Sequence, residues 1–272
     1  MRLRSLLAAA LGAALTTACL SMTDPANRPD RFAFMEEVEG EQALAWVRAQ
    51  NARSLAVLEN DPRFAPLQAE ALAIANSRDR LALGSVDQGY LYNFWLAETH
   101  VRGIWRLGAY QSGRPVWETL LDIDALATAE NANHVFKGTA CLPDMSRCMV
   151  SLSNGGLDAT TWREFDLGTR QFVAGGFVVP EAKSGLTWVD RDTLLVGTDW
   201  GAGTLTESGY PMVVKRWQRG SPLTAAAEVM RGQPGDVGVW PGSTIDETGR
   251  VETLITEADT FFTSKTFRLT PA

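Results

Sequence analysis

The spacing of short strands over the last two thirds of the chain most limits what it can fold into. Beyond about Leu81, short runs rich in Val, Thr, Trp and Phe are broken by Gly, Pro, Asp or Asn at intervals of about eight to twelve residues. This pattern predicts an all-β domain of antiparallel hairpins. Besides an apolar strand run that begins at His134, the predicted strands are 90–96, 101–107, 116–121, 148–153, 160–165, 186–189, 193–198, 212–217, 226–230, 251–256 and 260–269.

A loose repeat runs through these strands. Four strand endings place an aromatic residue at a similar point, and the intervals between successive aromatics are 60, 52 and 50 residues: Trp105, Phe165, Trp217 and Phe267. Units of about 40–50 residues with four strands each are typical of β-propellers, in which each small sheet stacks on its neighbours. We therefore predict a mainly β fold, with a β-sandwich as the alternative. Residues 81–272 would form an incomplete propeller of about three and a half four-stranded blades.

Two short α-helices are predicted ahead of the β domain, within a linker and helical segment over 19–80. The first covers 42–58, with acidic residues near its N-terminal end, where the helix dipole favours them. The second begins at Pro62, a residue well suited to a first helical position. The apolar faces are predicted at Leu44, Val47, Leu55 and Leu58 in the first helix, and at Phe64, Leu67, Ala71 and Ile74 in the second.

The first 18 residues have the pattern of a secretory signal peptide. Arg2 and Arg4 precede a short apolar run over 5–15, and small residues at 16–18 offer a cleavage site. The sequence therefore predicts an exported, periplasmic protein. Cys19 follows directly, so a lipid attached there and a membrane-anchored lipoprotein are the alternative.

Net charge and cysteine content restrict the partners and the redox state. With a net charge of −7 and a pI near 5.0, the chain has no basic surface for nucleic acid or anionic lipid, so a membrane contact would come only through lipidation of Cys19. Cys141 and Cys148 flank a segment whose Pro143-Asp144 pair suits a tight turn. A disulfide across this turn is one expectation for an exported chain, and two buried free thiols are the other.

The sequence offers no recognisable catalytic site, so we predict no catalytic residues. A serine hydrolase of the Gly-x-Ser-x-Gly type needs a strained strand-to-helix turn, and no such motif occurs. His100 and His134 lack the spacing of a nucleophile, base and acid, so we interpret both as surface or edge residues. Turn or hairpin roles are predicted for the nearest matches, Gly84-Ser85, Gly220-Ser221 and Gly242-Ser243.

Metal and cofactor sites are not predicted either. Asp122-x-Asp124 is a single acidic pair after a strand, and we interpret it as a turn or helix cap. Gly201-x-Gly203 is not followed by a helix, as a nucleotide-binding loop requires, so we expect it to let a hairpin loop adopt positive φ.

Two stretches resemble a known family. Phe34-Met35-Glu36-Glu37, followed by Ala45-Trp46-Val47-Arg48-Ala49-Gln50-Asn51, is similar to the N-terminal segment of the prolyl oligopeptidase family, although Phe34 and Met35 replace the usual Trp and Leu. A longer match resembles bacterial, exported members. It comprises Lys183-Ser184, Trp188-x-Asp190, residues 192–199, Ser208-Gly209-Tyr210-Pro211 and Val214-Lys215-x-Trp217.

The resemblance implies a seven-bladed propeller that caps an α/β-hydrolase domain and restricts entry to short peptides, with cleavage after proline in many members. In that family the catalytic serine, aspartate and histidine lie in the C-terminal part. We therefore expect a propeller part truncated before the catalytic domain and inactive alone. Its expected partners are a separately encoded α/β-hydrolase domain or a second copy of itself, with peptides as ligands. The alternatives are a non-catalytic peptide- or protein-binding module in the periplasm and an independent enzyme with an unrecognised site.

Overall fold

The computed structural model describes residues 30–37, 39–77, 83–111 and 114–270. The chain divides into two compact units, one ending at Ala75 and the other beginning at Asn76. The predicted signal peptide and Cys19 lie outside the described residues. Within the described ranges, none of the helices combines the length and the apolar character that a bilayer crossing demands.

The N-terminal unit contains a 3-10 helix at Ala33–Glu36, helix α1 at Glu41–Leu58 and helix α2 at Phe64–Ala75. Both predicted helices are present. The predicted start of α2 at Pro62 is wrong, because the Asp61 carboxylate accepts the backbone N–H of Arg63 at 2.9 Å and holds Pro62 in a turn ahead of the helix.

The second unit is built from four antiparallel sheets that follow one another along the chain. Sheet 1 contains β1 Ser85–Asp87, β2 Tyr90–Ala97, β3 His100–Gln111 and β4 Arg114–Asp122. Helix α3, Ile123–Glu130, leads to sheet 2, which contains β5 His134–Cys141, β6 Arg147–Asn154, β7 Thr160–Asp166, β8 Gln171–Phe172 and β9 Val178–Ala182. Sheet 3 contains β10 Gly185–Asp190, β11 Thr193–Gly197, β12 Val213–Gln218 and β13 Ala227–Arg231. Sheet 4 contains β14 Gly238–Ile245, β15 Val251–Ala258 and β16 Lys265–Arg268.

Strands pair in chain order within each sheet, except that β9 returns to pair with β7. The chain is therefore a partial β-propeller, as the strand spacing predicted. The aromatic repeat corresponds to the same structural position in every sheet, because each aromatic lies in the third strand: Trp105 in β3, Phe165 in β7, Trp217 in β12 and Phe267 in β16.

Neighbouring sheets are joined by three apolar clusters. Between sheets 1 and 2, the Trp105 ring lies 6.2 Å from Phe136 and 5.8 Å from Phe165. Between sheets 2 and 3, the Phe177 ring lies 5.8 Å from Trp188 and 4.7 Å from Trp217. The third cluster, between sheets 3 and 4, is smaller and consists of Leu195, Val214, Val239 and Ile255. Burial of these faces against one another is the main stabilising term.

An ion pair also joins sheets 2 and 3. The Glu164 side chain, in β7, is 1 % exposed and accepts hydrogen bonds from Nη1 and Nη2 of Arg219 at 2.9 and 3.0 Å. The same carboxylate accepts the backbone N–H of Phe177 at 2.9 Å. Arg219 also donates from Nε to Asp192 at 2.7 Å, and its guanidinium lies 4.4 Å from the centre of the Phe177 ring. The hydrogen bonds that Arg219 donates, chiefly those to Glu164 and then the one to Asp192, raise the pKa of Arg219.

Several elements were not predicted. Strands β1, β8 and β9 are too short for a clear alternation, and β14 is interrupted by Pro241-Gly242. Helix α3 has only eight residues. The predicted strand 260–269 is wrong over its first half, because the chain bends at 260–263. The Asp259 carboxylate stabilises this bend by accepting hydrogen bonds from the Thr260 backbone N–H and the Thr263 hydroxyl.

Candidate functional site

A cavity of about 420 Å³ lies where the first strands of the four sheets approach one another. Sheets 1, 2, 3 and 4 all contribute to its walls. It is lined by Ser85, Asp87, Tyr92, Asn93, Phe94, Trp105, Phe136, Gly138, Thr139, Cys141, Leu142, Pro143, Met145, Trp188, Ser243, Thr244, Ile245 and Val251. We call this space the inner-strand cavity.

The inner-strand cavity combines aromatic walls with scattered hydroxyl groups. Its aromatic side chains belong to the clusters that join the sheets, so they are held by packing. Trp188 is fixed further, because its indole N–H donates to the Ala140 carbonyl at 2.9 Å. Burial raises the pKa of Tyr92, and the nearby Asp87 carboxylate raises it further. Such a lining, with one carboxylate at Asp87, suits a ligand that combines apolar groups with a few hydrogen-bonding groups.

The wall contributed by sheet 2 contains Cys141. The structure joins Cys141 to Cys148, which lie directly opposite each other on β5 and β6. The adjoining loop is tied to sheet 1, because the Gln88 amide donates to the Pro143 carbonyl at 2.9 Å. The disulfide therefore closes a hairpin that borders the cavity.

Both histidines begin a strand and lie next to carboxylates: His100 begins β3 in sheet 1, and His134 begins β5 in sheet 2. His134 Nε2 lies 2.8 Å from Glu130, which also accepts two hydrogen bonds from Arg163. Burial alone would raise the pKa of Glu130, but the hydrogen bonds from Arg163 and His134 outweigh it and lower that pKa. His100 Nδ1 lies 3.4 Å from Asp122 without hydrogen-bonding geometry. Among the described residues, neither histidine is hydrogen-bonded to a serine, threonine or cysteine side chain.

The three Gly-Ser pairs occupy different settings. Gly220-Ser221 lies in a turn, as predicted, and the Ser221 hydroxyl donates to the Gln218 carbonyl at 2.7 Å. Gly84 precedes β1 and Ser85 begins it. Gly242-Ser243 has the hairpin role that the prediction allowed: both residues lie inside β14, where all eight positions pair with β15 in an antiparallel hairpin and the chain does not reverse.

The first member of the acidic pair, Asp122, caps a helix, as predicted. Asp122 is the N-cap of α3 and accepts the backbone N–H of Ala125 at 3.0 Å. Asp124 accepts the backbone N–H of Arg102 at 3.0 Å. His100 comes within 4.8 Å of both carboxylates, a proximity that sequence spacing did not predict. Since these oxygens already serve backbone amides, we assign no metal to the group.

The predicted loop glycines also behave as expected. Gly201 and Gly203 have φ of 107° and 74°, values that side-chain-bearing residues rarely adopt. They lie in the long connection between β11 and β12, away from the inner-strand cavity lining.

Comparison with known proteins identifies the family. Residues 17–255 match the family model described as prolyl oligopeptidase, N-terminal beta-propeller domain. The chain belongs to the prolyl oligopeptidase family. Among curated relatives, the family member described as the uncharacterized peptidase y4nA of Sinorhizobium fredii is 43% identical over 226 residues, covering 81% of this chain and 31% of the relative. The uncharacterized peptidase RP174 of Rickettsia prowazekii is 28% identical over 213 residues, which cover 74% of this chain and 30% of that relative.

Solved structures agree with the fold. A post-proline cleaving enzyme from Rickettsia typhi superimposes with a TM-score of 0.74 at 24% identity, over 90% of this chain and 39% of that one. Oligopeptidase B from Leishmania major superimposes with a TM-score of 0.64 at 13% identity, over 85% of this chain and 31% of that one. This prolyl oligopeptidase family chain thus spans about a third of the length of the curated relatives it matches.

Proposed function

We propose that this chain is the propeller part of a serine endopeptidase of the prolyl oligopeptidase family, that it controls the access of peptides to a catalytic α/β-hydrolase domain, and that it hydrolyses nothing alone. The match of residues 17–255 to the family's N-terminal propeller carries the proposal. The inner-strand cavity supports it, because its aromatic and hydroxyl lining offers a surface to peptides. Among the described residues, no serine, threonine or cysteine side chain is hydrogen-bonded to either histidine, and this supports the absence of activity.

The purified full chain should neither label with a fluorophosphonate nor hydrolyse a chromogenic proline-containing peptide. Both reactions need a serine activated by a base, and among the described residues neither histidine is hydrogen-bonded to a serine side chain. A complete peptidase of the family, labelled in parallel, confirms that the probe is reactive. Stoichiometric labelling of any serine in this chain would show that it is an independent enzyme.

Helix α1 is the surface that we assign to the catalytic partner. Its predicted apolar face remains substantially exposed, from 39% at Leu44 to 55% at Leu58. Covering about 300 Å² of such surface would contribute several kcal/mol to an association, at roughly 25 cal/mol per Å². Coexpression with a separate α/β-hydrolase domain of the family should therefore yield a complex on size-exclusion chromatography with light scattering.

Matched helix variants separate docking from misfolding. Leu55→Asp should abolish the complex, whereas Ala49→Asp, on the opposite side of the helix, should leave it intact. A chain that stays a monomer beside the hydrolase domain, with one cooperative unfolding transition, would contradict the assignment of α1 as the partner surface.

A non-catalytic peptide- or protein-binding module in the periplasm is the second candidate. The inner-strand cavity favours it, because a site formed by four sheets can bind a peptide without any catalytic domain. Saturable binding of a proline-containing peptide to the isolated chain, together with failure to form the hydrolase complex, would favour this candidate.

We also propose export, on the basis of the basic and apolar pattern over residues 1–18. Protein recovered from the periplasm of a bacterial host should begin at or near Cys19, and unreduced peptide mapping should link Cys141 to Cys148. A mass increase equal to diacylglycerol would identify a lipoprotein. Retention of Met1 to Ala18 would contradict export, and two alkylatable thiols would contradict the disulfide.

A further inference from the structure

A second cavity, of about 460 Å³, lies between sheets 3 and 4 and is lined by three arginines. Its walls come from β10, β12, β15 and the end of β16. The lining residues are Val189, Arg216, Arg250, Val251, Glu252, Thr253, Arg268, Leu269 and Thr270. Three guanidinium groups thus border one space with a single carboxylate, in a chain whose net charge is −7.

Strand register places Arg216 on the wall of this cavity. Arg216 pairs with Leu195 on the neighbouring strand, so both side chains lie on the same face of sheet 3. Leu195 belongs to the cluster that joins sheets 3 and 4, and Val214, two residues before Arg216, belongs to it as well. The half-buried Arg216 side chain therefore faces sheet 4, beside the aliphatic side chains of Val189 and Leu269.

Two of the three arginines form no ion pair in the part of the chain that the structure describes, although hydrogen bonds from Thr248 and Arg250, and then the charge of Arg250, lower the pKa of the nearby Asp246. Arg268 donates to Glu252 at 2.9 Å, whereas no carboxylate lies within 4.0 Å of the guanidinium of Arg216 or Arg250. The acid of the preceding turn, Asp246, accepts the Thr248 hydroxyl and the backbone N–H groups of Thr248 and Arg250. Elsewhere in the β unit, half-buried Arg147, Arg163 and Arg219 each face a carboxylate.

We propose that this cavity binds an anionic group of the carboxylate or phosphate type, carried on an apolar body. Arginine guanidinium groups recognise both anions through paired, charge-assisted hydrogen bonds. Like charges that border a partly buried cavity repel one another, and a bound anion removes that repulsion. The aliphatic side chains of Val189, Val251 and Leu269 provide a surface for the apolar body, and the Thr253 and Thr270 hydroxyls border the same space.

Titration of the full chain with three probes tests the site. N-acetyl-leucine provides a carboxylate with an apolar side chain, N-acetyl-leucinamide lacks only the charge, and inorganic phosphate lacks the apolar body. Isothermal titration calorimetry and chemical-shift changes on an arginine-edited NMR spectrum report binding. We expect the acid or phosphate to bind and the amide not to bind, with an affinity that falls as salt is raised. The ratio of the two anion affinities distinguishes a carboxylate ligand from a phosphate ligand.

Charge-neutralising variants locate the binding. Arg216→Gln and Arg250→Gln should each weaken anion binding by about tenfold or more, since each removes charge-assisted hydrogen bonds. Arg250 is exposed beside a turn, so Arg250→Gln should fold even if Arg216→Gln does not. Arg191→Gln makes the same charge change outside the cavity and should bind as the unmodified chain does. Absence of anion binding, equal binding of acid and amide, or unchanged binding in both cavity variants would overturn the proposal.

Discussion

Replacing Arg219 with alanine should lower the free energy of unfolding by about 3 kcal/mol, because it leaves the buried Glu164 carboxylate without its cationic partner. The backbone N–H of Phe177 would be the remaining described donor to that carboxylate. The cation–π contact with Phe177 and the hydrogen bond to Asp192 are lost as well. In a unit of this size, such a change should lower Tm by roughly 10 °C. Urea denaturation followed by tryptophan fluorescence measures it.

An exposed arginine provides the matched control. Arg170 pairs with Glu118, and the two side chains are 43% and 55% exposed. Arg170→Ala should therefore cost less than about 1 kcal/mol, as is usual for ion pairs in water. Equal losses in Arg219→Ala and Arg170→Ala would mean that the Glu164–Arg219 pair does not hold sheets 2 and 3 together.

The fold could be predicted from the sequence because the propeller is repetitive. A missed strand or a wrong strand boundary does little to the predicted fold when an aromatic residue recurs at the same place in four sheets, as Trp105 and Phe165 do in the first two. Local chemistry was equally informative at Asp122, whose position after a strand and before an apolar segment predicts a helix cap.

The inner-strand cavity could not be predicted, because it depends on the elements with the weakest sequence patterns. Strand β1 has three residues, and β14 is interrupted by Pro241-Gly242, so neither alternates clearly. Pro241 is tolerated because β14 is the first strand of its sheet and has only β15 as a partner within it. Without β1 and β14, the sequence offers no reason to bring Ser85 and Ser243 to one space.

The charged contacts between sheets were missed for a different reason. Glu164 and Arg219 are 55 residues apart: Glu164 directly precedes Phe165, and Arg219 follows Trp217 by two residues, at strand ends where a charged residue normally faces water. Their pairing follows from the stacking of sheet 2 on sheet 3, which no local pattern encodes. The same holds for Arg216, which lies next to Trp217 in a strand that the sequence did predict.

The largest expected effect concerns the aromatic repeat itself. Phe165 is fully buried, and its ring lies 5.8 Å from Trp105 and 5.3 Å from Phe172. Phe165→Ala should therefore lower the free energy of unfolding by about 3–5 kcal/mol, since the apolar contacts are lost and a cavity remains between sheets 1 and 2. Phe165→Leu retains most of the apolar volume and should cost less than about 2 kcal/mol, so the site remains measurable if the alanine variant fails to fold.

Phe267 occupies the equivalent position in sheet 4 and allows the same substitution in a different setting. Its side chain is 45% exposed, because it lies on the outermost described strand of a three-stranded sheet. Phe267→Ala should therefore lower the free energy of unfolding by about 1 kcal/mol or less, although both phenylalanines occupy the same position in the repeat. Urea titrations at two protein concentrations measure both variants. A loss at Phe267 as large as that at Phe165 would show that this face is covered in solution. If that loss also grew with protein concentration, the covering surface would be a second copy of the chain.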